Sequence, residues 1–410
     1  MTVQTRLFKK SLLALTVAVA SQQAMAAGFQ LNSQSATGLG RAAAGDAVIA
    51  DNAAVMARNP AAMALFDETS LSLGFNTITS DIKVKDAKYK PGYFQPEQSI
   101  DDYNDAGDTS IAPNIHLIVP INDKFAVGMN AYTNFGTKTE FGDDFGGHEY
   151  GGLTDVKSVN LGLSGSYRVN DQLSFGAGLD VIYGAGTMKR ELASGTALLD
   201  VDNATGWAVG FNLGAVYEVN ENNRFGLAYH YSPEMTAEDD KGQEITLPLP
   251  DMVEFSGYHR IDDTKFAVHY SVQWIGWSTF DSIEFDNLQD GILGQVGSYS
   301  KDYAWQDGWH YAIGGTYYLN RDWTLRAGYM YDTSAQDELT SVSVPDSDRQ
   351  WLSAGFTYHI NQKSNIDFGF TYLIGADVDV EESTPLLGSS ITATTRADAI
   401  LVGLQYSRSF

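Results

Sequence analysis

The sequence contains no cysteine among its 410 residues. No disulfide braces the fold, so stability must come from packing and hydrogen bonding alone. After residue 20 no apolar run approaches the roughly 18 residues that a membrane-spanning helix needs. Basic residues are scarce as well. Lys and Arg number 26 against 51 Asp and Glu, a formal charge of −25, which excludes binding of nucleic acid through basic patches. Catalytic signatures are missing too: no G-x-S-x-G elbow, no H-E-x-x-H pair and no close pair of histidines occurs, so no catalytic or metal site and no cofactor is expected. A Ser–His pair assembled across strands, as in an outer-membrane hydrolase, stays open at this stage, although the histidines read better as hydrogen-bonded lumen or interface groups.

What is present points to export. Arg6, Lys9 and Lys10 precede the short apolar run Leu12 to Ala20, and Ala24-Met25-Ala26 follows. This is a signal peptide over 1–26, with Ala27 as the mature N-terminus. With 43% hydrophobic and 19% charged residues the mature chain is not disordered by composition, and 40 glycines, 22 tyrosines and 20 phenylalanines are its distinctive stock.

Beyond residue 66 the apolar residues recur at period two. Leu71, Leu73 and Phe75 alternate with Ser72, Gly74 and Asn76, and Trp323, Leu325, Ala327 and Tyr329 with Thr324, Arg326 and Gly328. Fourteen such segments are found, near 70–81, 109–119, 124–139, 154–169, 172–189, 203–218, 223–234, 250–260, 264–280, 301–319, 322–333, 349–361, 364–378 and 394–410. Short turns such as Asn122-Asp123 and Asn170-Asp171 alternate with long acidic loops near 82–108, 140–153, 190–202, 235–249, 281–300, 334–348 and 379–393. That asymmetry predicts an all-β fold: a 14-stranded antiparallel transmembrane β-barrel over 67–410, in the outer membrane of a Gram-negative cell. A soluble β-sandwich also alternates but seldom keeps so strict a turn–loop rhythm. The closing "ILVGLQYSRSF" ends in Phe410, the aromatic terminus that suits reading by the barrel-assembly machinery.

A 14-stranded lumen is too wide for its own side chains to fill. Residues 27–66 are neither strand nor loop and are expected to plug it as a hatch. In "ARNPAAMALF" (57–66) Asn59 is a good N-cap and Pro60 a favoured first helical residue, so one short helix over about 46–57 should end there and another begin. Glycines of "GAGLDVIYGAG" (176–186) fall on the lumen-facing register and leave space for a ligand or plug. Six charged residues share the inward parity: Arg168, Asp180, Arg190, Glu254, Arg326 and Asp367. Some are expected to latch the plug and at least one to hold a ligand's head group.

"AGFQLNSQSATGLGRAAAGDAVIADNAAVMARNPAA" (27–62) resembles the N-terminal hatch of the FadL-type long-chain fatty-acid transporters, with Asn59, Pro60 and Ala61 as the signature N-P-A. "PINDKF" (120–125), "LPDMVEFSGYHR" (249–260) and "VPDSDRQWLSAGFTY" (344–358) extend the resemblance over nearly the whole mature chain. It implies passive uptake of long-chain fatty acids or similar amphipaths through an apolar pocket. Release is then lateral, through a kink in the third strand at Asn134, Phe135 and Gly136 in "YTNFGTKTEF". Arg190 matches the family's pocket arginine, and Phe29 its hatch residue that reaches toward the pocket. The family's second cation falls on Gln306, a departure for which His310 is expected to compensate in part. The loops at 193–206 and 233–250 are short for the family, leaving Leu192, Leu198, Leu199 and Leu247 to form a reduced outer groove. A monomer among outer-membrane lipid and lipopolysaccharide is implied. A hydrocarbon channel on the same fold, a general porin and an adhesin remain as alternatives.

Overall fold

The computed structural model describes residues 28–32 and 34–410; the expected leader and Ala27 lie outside them. Fourteen strands follow one another around a closed antiparallel barrel. They are β1 (Ser70–Lys90), β2 (Thr109–Pro120), β3 (Phe125–Tyr132 resuming at Gly136–Glu140), β4 (Leu153–Arg168), β5 (Leu173–Glu191), β6 (Ala197–Asn220), β7 (Asn223–Tyr231), β8 (Met252–Arg260), β9 (Phe266–Ile275), β10 (Gly308–Tyr317), β11 (Trp323–Asp332), β12 (Arg349–Asn361), β13 (Ser364–Gly375) and β14 (Ser389–Ser409). Each pairs with its successor, and β14 returns to β1 from Ser409↔Ser70 to Ser390↔Lys90. Further short strands, among them Met235–Glu238 with Glu244–Leu247 and Val378–Thr384, stiffen the outer loops.

The alternation is inverted relative to a soluble protein. Leu73, Phe75, Val127, Met129, Leu163, Leu325 and Leu404 are exposed on the outside, whereas Ser72, His116, Asn130, Ser164 and Gln405 are buried within. A barrel in lipid requires this, because the outer face meets hydrocarbon and the inner face meets a polar filling. The ladder continues beyond the apolar pattern. β1 runs on to Lys90, β5 and β6 turn over only at 192–196, and β14 begins at Ser389, all within stretches expected as loops. Hydropathy marks where the bilayer ends; the backbone pairing extends into water beyond it.

Residues 28–32 and 34–66 lie inside the barrel, almost all buried. The predicted helix over 46–57 is replaced by tight turns through residue 48 and two 3₁₀ segments, Ala53–Ala57 and Pro60–Leu65, after a four-residue α1 (Ala36–Leu39). Wall side chains explain the difference. Ser72 Oγ of β1 accepts from Ala53 N and Ser256 Oγ from Ala47 N, and just upstream Ser271 Oγ accepts from Gly45 N and donates to Ala43 O. The wall thus satisfies backbone groups that a helix would satisfy internally. Upstream of this range Ala42 and Ala43 adopt φ of 54° and 58°, so no α-helix runs on into it from α1.

The cap at Asn59 is as expected. Its Oδ1 accepts from Ala61 N at 3.0 Å, with Pro60 in the first helical position. Its Nδ2 donates outward, to Ala47 O at 2.8 Å and to Ala215 O on β6 at 3.1 Å. Gly176 and Gly214 let the wall come this close. A Cβ on Gly176 would stand 2.3 Å from Ala61 N, and one on Gly214 1.9 Å from Asn59 Oδ1. Four of the six inward charges serve the filling: Arg168 donates to Ala64 O, Glu254 meets Arg58, and Arg326 lies between Asp51 and Asp367.

Asn59→Ala removes the cap and both outward bonds, a loss of about 1 kcal/mol or more for the cap alone. The variant should assemble, unfold at a lower temperature and show raised ion conductance in planar bilayers. Conductance as low as that of the unaltered protein would show that the seal does not depend on this residue.

Candidate functional site

The site begins where the third strand breaks. Tyr132 of β3 pairs with Asn160 of β4, but Gly136 pairs with Lys157. Thr133, Asn134 and Phe135 therefore face only Ser158 and Val159, a one-residue bulge. The break occupies 133–135, and Gly136 is where the strand resumes. Every residue from Thr133 to Thr139 is buried, so this stretch bends into the lumen, while Gly136–Glu140 stay paired with β4. Thr109–Asn114 of β2 correspondingly have no partner on β3. Pro113 sits on that free edge, where its missing N–H breaks no ladder bond. Above the interruption the wall is rejoined by Glu140 N to Ala106 O at 3.1 Å and by Lys138 to Asp108 at 2.8 Å.

The inturned segment is gripped on both sides. Phe135 N donates to Ser158 Oγ of β4 at 3.1 Å. From the lumen, Leu31 N donates to Asn134 O at 2.7 Å and Gly136 N to Phe29 O at 2.8 Å. The start of the hatch is thus a short strand laid against the break. This brings Phe29 and Phe135 to 6.2 Å between ring centroids, with Trp277, Phe280 and Trp305 at 4.6, 5.3 and 5.8 Å from Phe29. Beside them is a cavity of about 30 Å³ with an apolar surface, lined by Phe135, Met188, Met235, Leu247 and Ile283 among others. That is far too little for an acyl chain, so such a guest enters only as these side chains part. Gly184 and Gly186 also line it. The β5 glycines therefore serve the filling at one end and the cavity at the other. Leu198, Leu199 and Leu247 are buried in this same cluster, with Leu192 packed against it, rather than forming an exposed outer groove.

Arg190 stands at the next inward position along β5 from Met188 and is 5% exposed. Its guanidinium donates to Leu153 O at 2.7 Å, Lys189 O at 2.8 Å and Thr154 Oγ1 at 2.6 Å. Three of its five donors are thereby used, and among the described residues it makes no ion pair with a carboxylate. The second cation nearby is Lys301, whose ammonium lies 2.7 Å from Glu382 and 5.3 Å from the Tyr303 ring. Burial opposes the charge on Lys301 and Arg190 adds to that, but Glu382 and Tyr303 together outweigh both, holding the ammonium above the ordinary lysine range. Arg190, Lys301 and Glu382 together carry one unbalanced positive charge. Tyr303, 2% exposed with its hydroxyl unpartnered among the described residues, adjoins them. Rings lead from there back to Phe29, since Tyr303 lies 6.1 Å from Trp305.

Gln306 and His310 do not join this group. Gln306 is exposed and its amide reaches Ser334 O and Gln336 O at 3.4 and 3.5 Å. The inward parity of β10 does not extend to it, because Tyr303–Asp307 lie outside the ladder. His310 is buried, but its Nδ1 is shared by Asn32 and Gln273 at 3.0 and 2.9 Å and its Nε2 faces Asp332 at 3.2 Å. It holds the hatch. Lys301 went unnoticed in the sequence, although it is the one cation in the aromatic-rich stretch 276–307.

Residues 17–410 match the family model described as outer membrane protein transport protein (OMPP1/FadL/TodX). The chain belongs to this family. It is accordingly a protein of the outer membrane and of a transport family. A long-chain fatty acid transport protein of Salmonella typhi is 35% identical, over 92% of this chain and 94% of that protein. Outer membrane protein P1 of Haemophilus influenzae is 32% identical over 98% and 99%. The crystal structure of a Pseudomonas aeruginosa FadL homologue shares the fold at a TM-score of 0.79, with 23% identity over 94% of this chain and 100% of that one. The Pseudomonas putida toluene transporter TodX matches at 0.65, with 17% identity over 88% and 94%.

Phe29→Ala takes a ring from the centre of the aromatic cluster of this FadL-family chain, a loss of about 3–5 kcal/mol at a fully packed site. It should lower the unfolding temperature while increasing uptake of a neutral apolar fluorophore into the purified protein. Fluorophore binding unchanged from the parent would locate the apolar guest site elsewhere.

Proposed function

We propose that this chain mediates passive entry of long-chain fatty acids. The acyl chain occupies the apolar cavity, its carboxylate is met by Arg190 and Lys301, and it departs sideways through the wall at 133–136. The observation that carries the reading is the single unbalanced positive charge of Arg190, Lys301 and Glu382 next to an apolar cavity, Arg190 following Met188 on the inward face and Lys301 pairing with Ile283, both of which line it. A buried cation without its own carboxylate is costly unless an anion completes it, and a neutral hydrocarbon offers none. Relatives named as long-chain fatty acid transport proteins support it. Lateral departure has a physical basis. Each CH₂ returned to water costs about 0.8 kcal/mol, whereas passing from an apolar cavity into lipid avoids that cost. No chemical step is involved. Phe29 gates the cavity, and Asn59, Pro60 and Ala61 seat the hatch below it. The reading includes a monomer delivered by the barrel-assembly machinery and surrounded by lipid and lipopolysaccharide.

The competing guest is an aromatic hydrocarbon, as the toluene transporters of the same fold are named for. Arg190→Ala and Lys301→Gln separate the two. Both should weaken oleate binding by tenfold or more, since charge-assisted bonds are roughly twice as strong as neutral ones, while oleyl alcohol and toluene are little affected. Equal losses for acid and alcohol would make these cations structural.

Deleting Asn134 removes the extra residue of the bulge and lets β3 and β4 pair without interruption. Labelled-oleate uptake by cells lacking their own importer should then fall to near background with binding retained. Undiminished uptake by the assembled deletion would rule the lateral route out.

A further inference from the structure

We propose that Asp180 is the anchor of a buried sodium-ion site in the wall facing the hatch, built by β3, β4, β5 and β6. Asp180 is 5% exposed and is the one inward acid of the three, beside Glu254 and Asp367, that has neither a cation nor a hatch group as partner among the described residues. Asn160 Nδ2 donates to it at 2.8 Å and Asn212 Nδ2 at 2.6 Å. Neutral donors orient a carboxylate but leave its charge uncompensated, which is expensive away from water. Arg58 of the filling is already engaged by Asp46, Glu254 and Asn32. Around the filling Arg41, Arg58 and Arg326 face Asp46, Asp51, Glu254 and Asp367, so acids outnumber bases there before Asp180 is counted.

The neighbouring oxygens are the second observation. Asn130 Oδ1, Asn212 Oδ1 and Ser164 Oγ are buried and find no hydrogen-bond partner among the described residues, and their side chains are 8%, 3% and 5% exposed. Register brings them together. Asn130, Gly162 and Asp180 lie in one row across β3, β4 and β5, and Ser164, Gly178 and Asn212 in the next across β4, β5 and β6. Each glycine leaves room between polar neighbours. A Cβ on Gly162 would stand 2.3 Å from Asn130 Oδ1 and 3.0 Å from Asp180 Oδ1. One on Gly178 would stand 2.2 Å from Ser164 Oγ and 2.7 Å from Asn212 Oδ1. The donor set is all oxygen, the choice of hard cations, with neither nitrogen nor sulfur for a transition metal. One carboxylate among neutral oxygens balances a single positive charge, so sodium fits and a divalent ion would overshoot. Bound there, it would tie the inturned strand β3 to β5 and β6, the strands on which Asn59 and Ala61 seat.

The test is thermal unfolding of the purified full-length protein in sodium chloride against N-methyl-D-glucamine chloride at equal ionic strength. Sodium should raise the midpoint by several degrees with a saturable dependence, and Asp180→Asn should abolish the difference. Ser164→Ala, which keeps the charge, should shift half-saturation to about tenfold higher sodium; it serves as the readout where Asp180→Asn fails to assemble. Crystals soaked in thallium(I) should give an anomalous peak between Asp180, Asn130, Ser164 and Asn212. Equal midpoints in the two salts, a sodium shift that survives both substitutions, or thallium absent from this point would each overturn the proposal.

Discussion

Hydrocarbon offers no hydrogen bonds, and the rest of this structure depends on that. A sheet crossing a bilayer has to pair every strand on both sides, which β1 and β14 achieve without a break from Ser70 to Lys85. Closure at fourteen strands makes a lumen wider than its side chains can fill. The chain fills it with its own N-terminal segment, held by polar contacts. Asn59, Arg168, Ser256, Ser271 and His310 all bond hatch atoms, and so does His116, whose Nε2 lies 3.0 Å from Gln34 O.

The same rule gives the interrupted wall its meaning. Where Thr133–Phe135 turn inward, the unpaired backbone is taken up by Ser158 on one side and by the 29–31 segment on the other. Hatch and wall are therefore one hydrogen-bonded unit at the point where the barrel is open. A displacement of Phe29 alters both the apolar cavity it helps close and the support of the inturned strand. Sidedness follows as well. The cations Arg190 and Lys301 lie toward the long outer loops, and the N-P-A turn toward the short inner turns, so the apolar cavity lies between a polar lid and a polar floor.

Charge is distributed with similar economy. Inward ionisable groups are mostly consumed by the filling: Arg326 and Glu254 each meet a hatch residue of opposite sign. Arg190 and Asp180 stand apart because each is buried with neutral partners only. Their signs are opposite, and so are the charges of the ligands proposed for them. A buried charge that the fold does not answer is the clearest local pointer to something the protein binds.

By itself the sequence determined the architecture. Period-two alternation, strand number, the rhythm of short turns and long loops, the N-cap at Asn59 and the inward parity of Arg190 are all local, because a strand's two faces are set by residue parity alone. Three things needed the tertiary structure. The helix expected over 46–57 dissolves into turns because wall serines complete its backbone. Gln306 turns outward because parity lapses where the ladder stops, and His310 is spent on Asn32, Gln273 and Asp332. Lys301 enters the site because the loop before β10 folds back over Arg190, bringing together two cations more than a hundred residues apart in the chain. Which charges find partners is decided by distances across the lumen, and residue order along one strand carries no information about these.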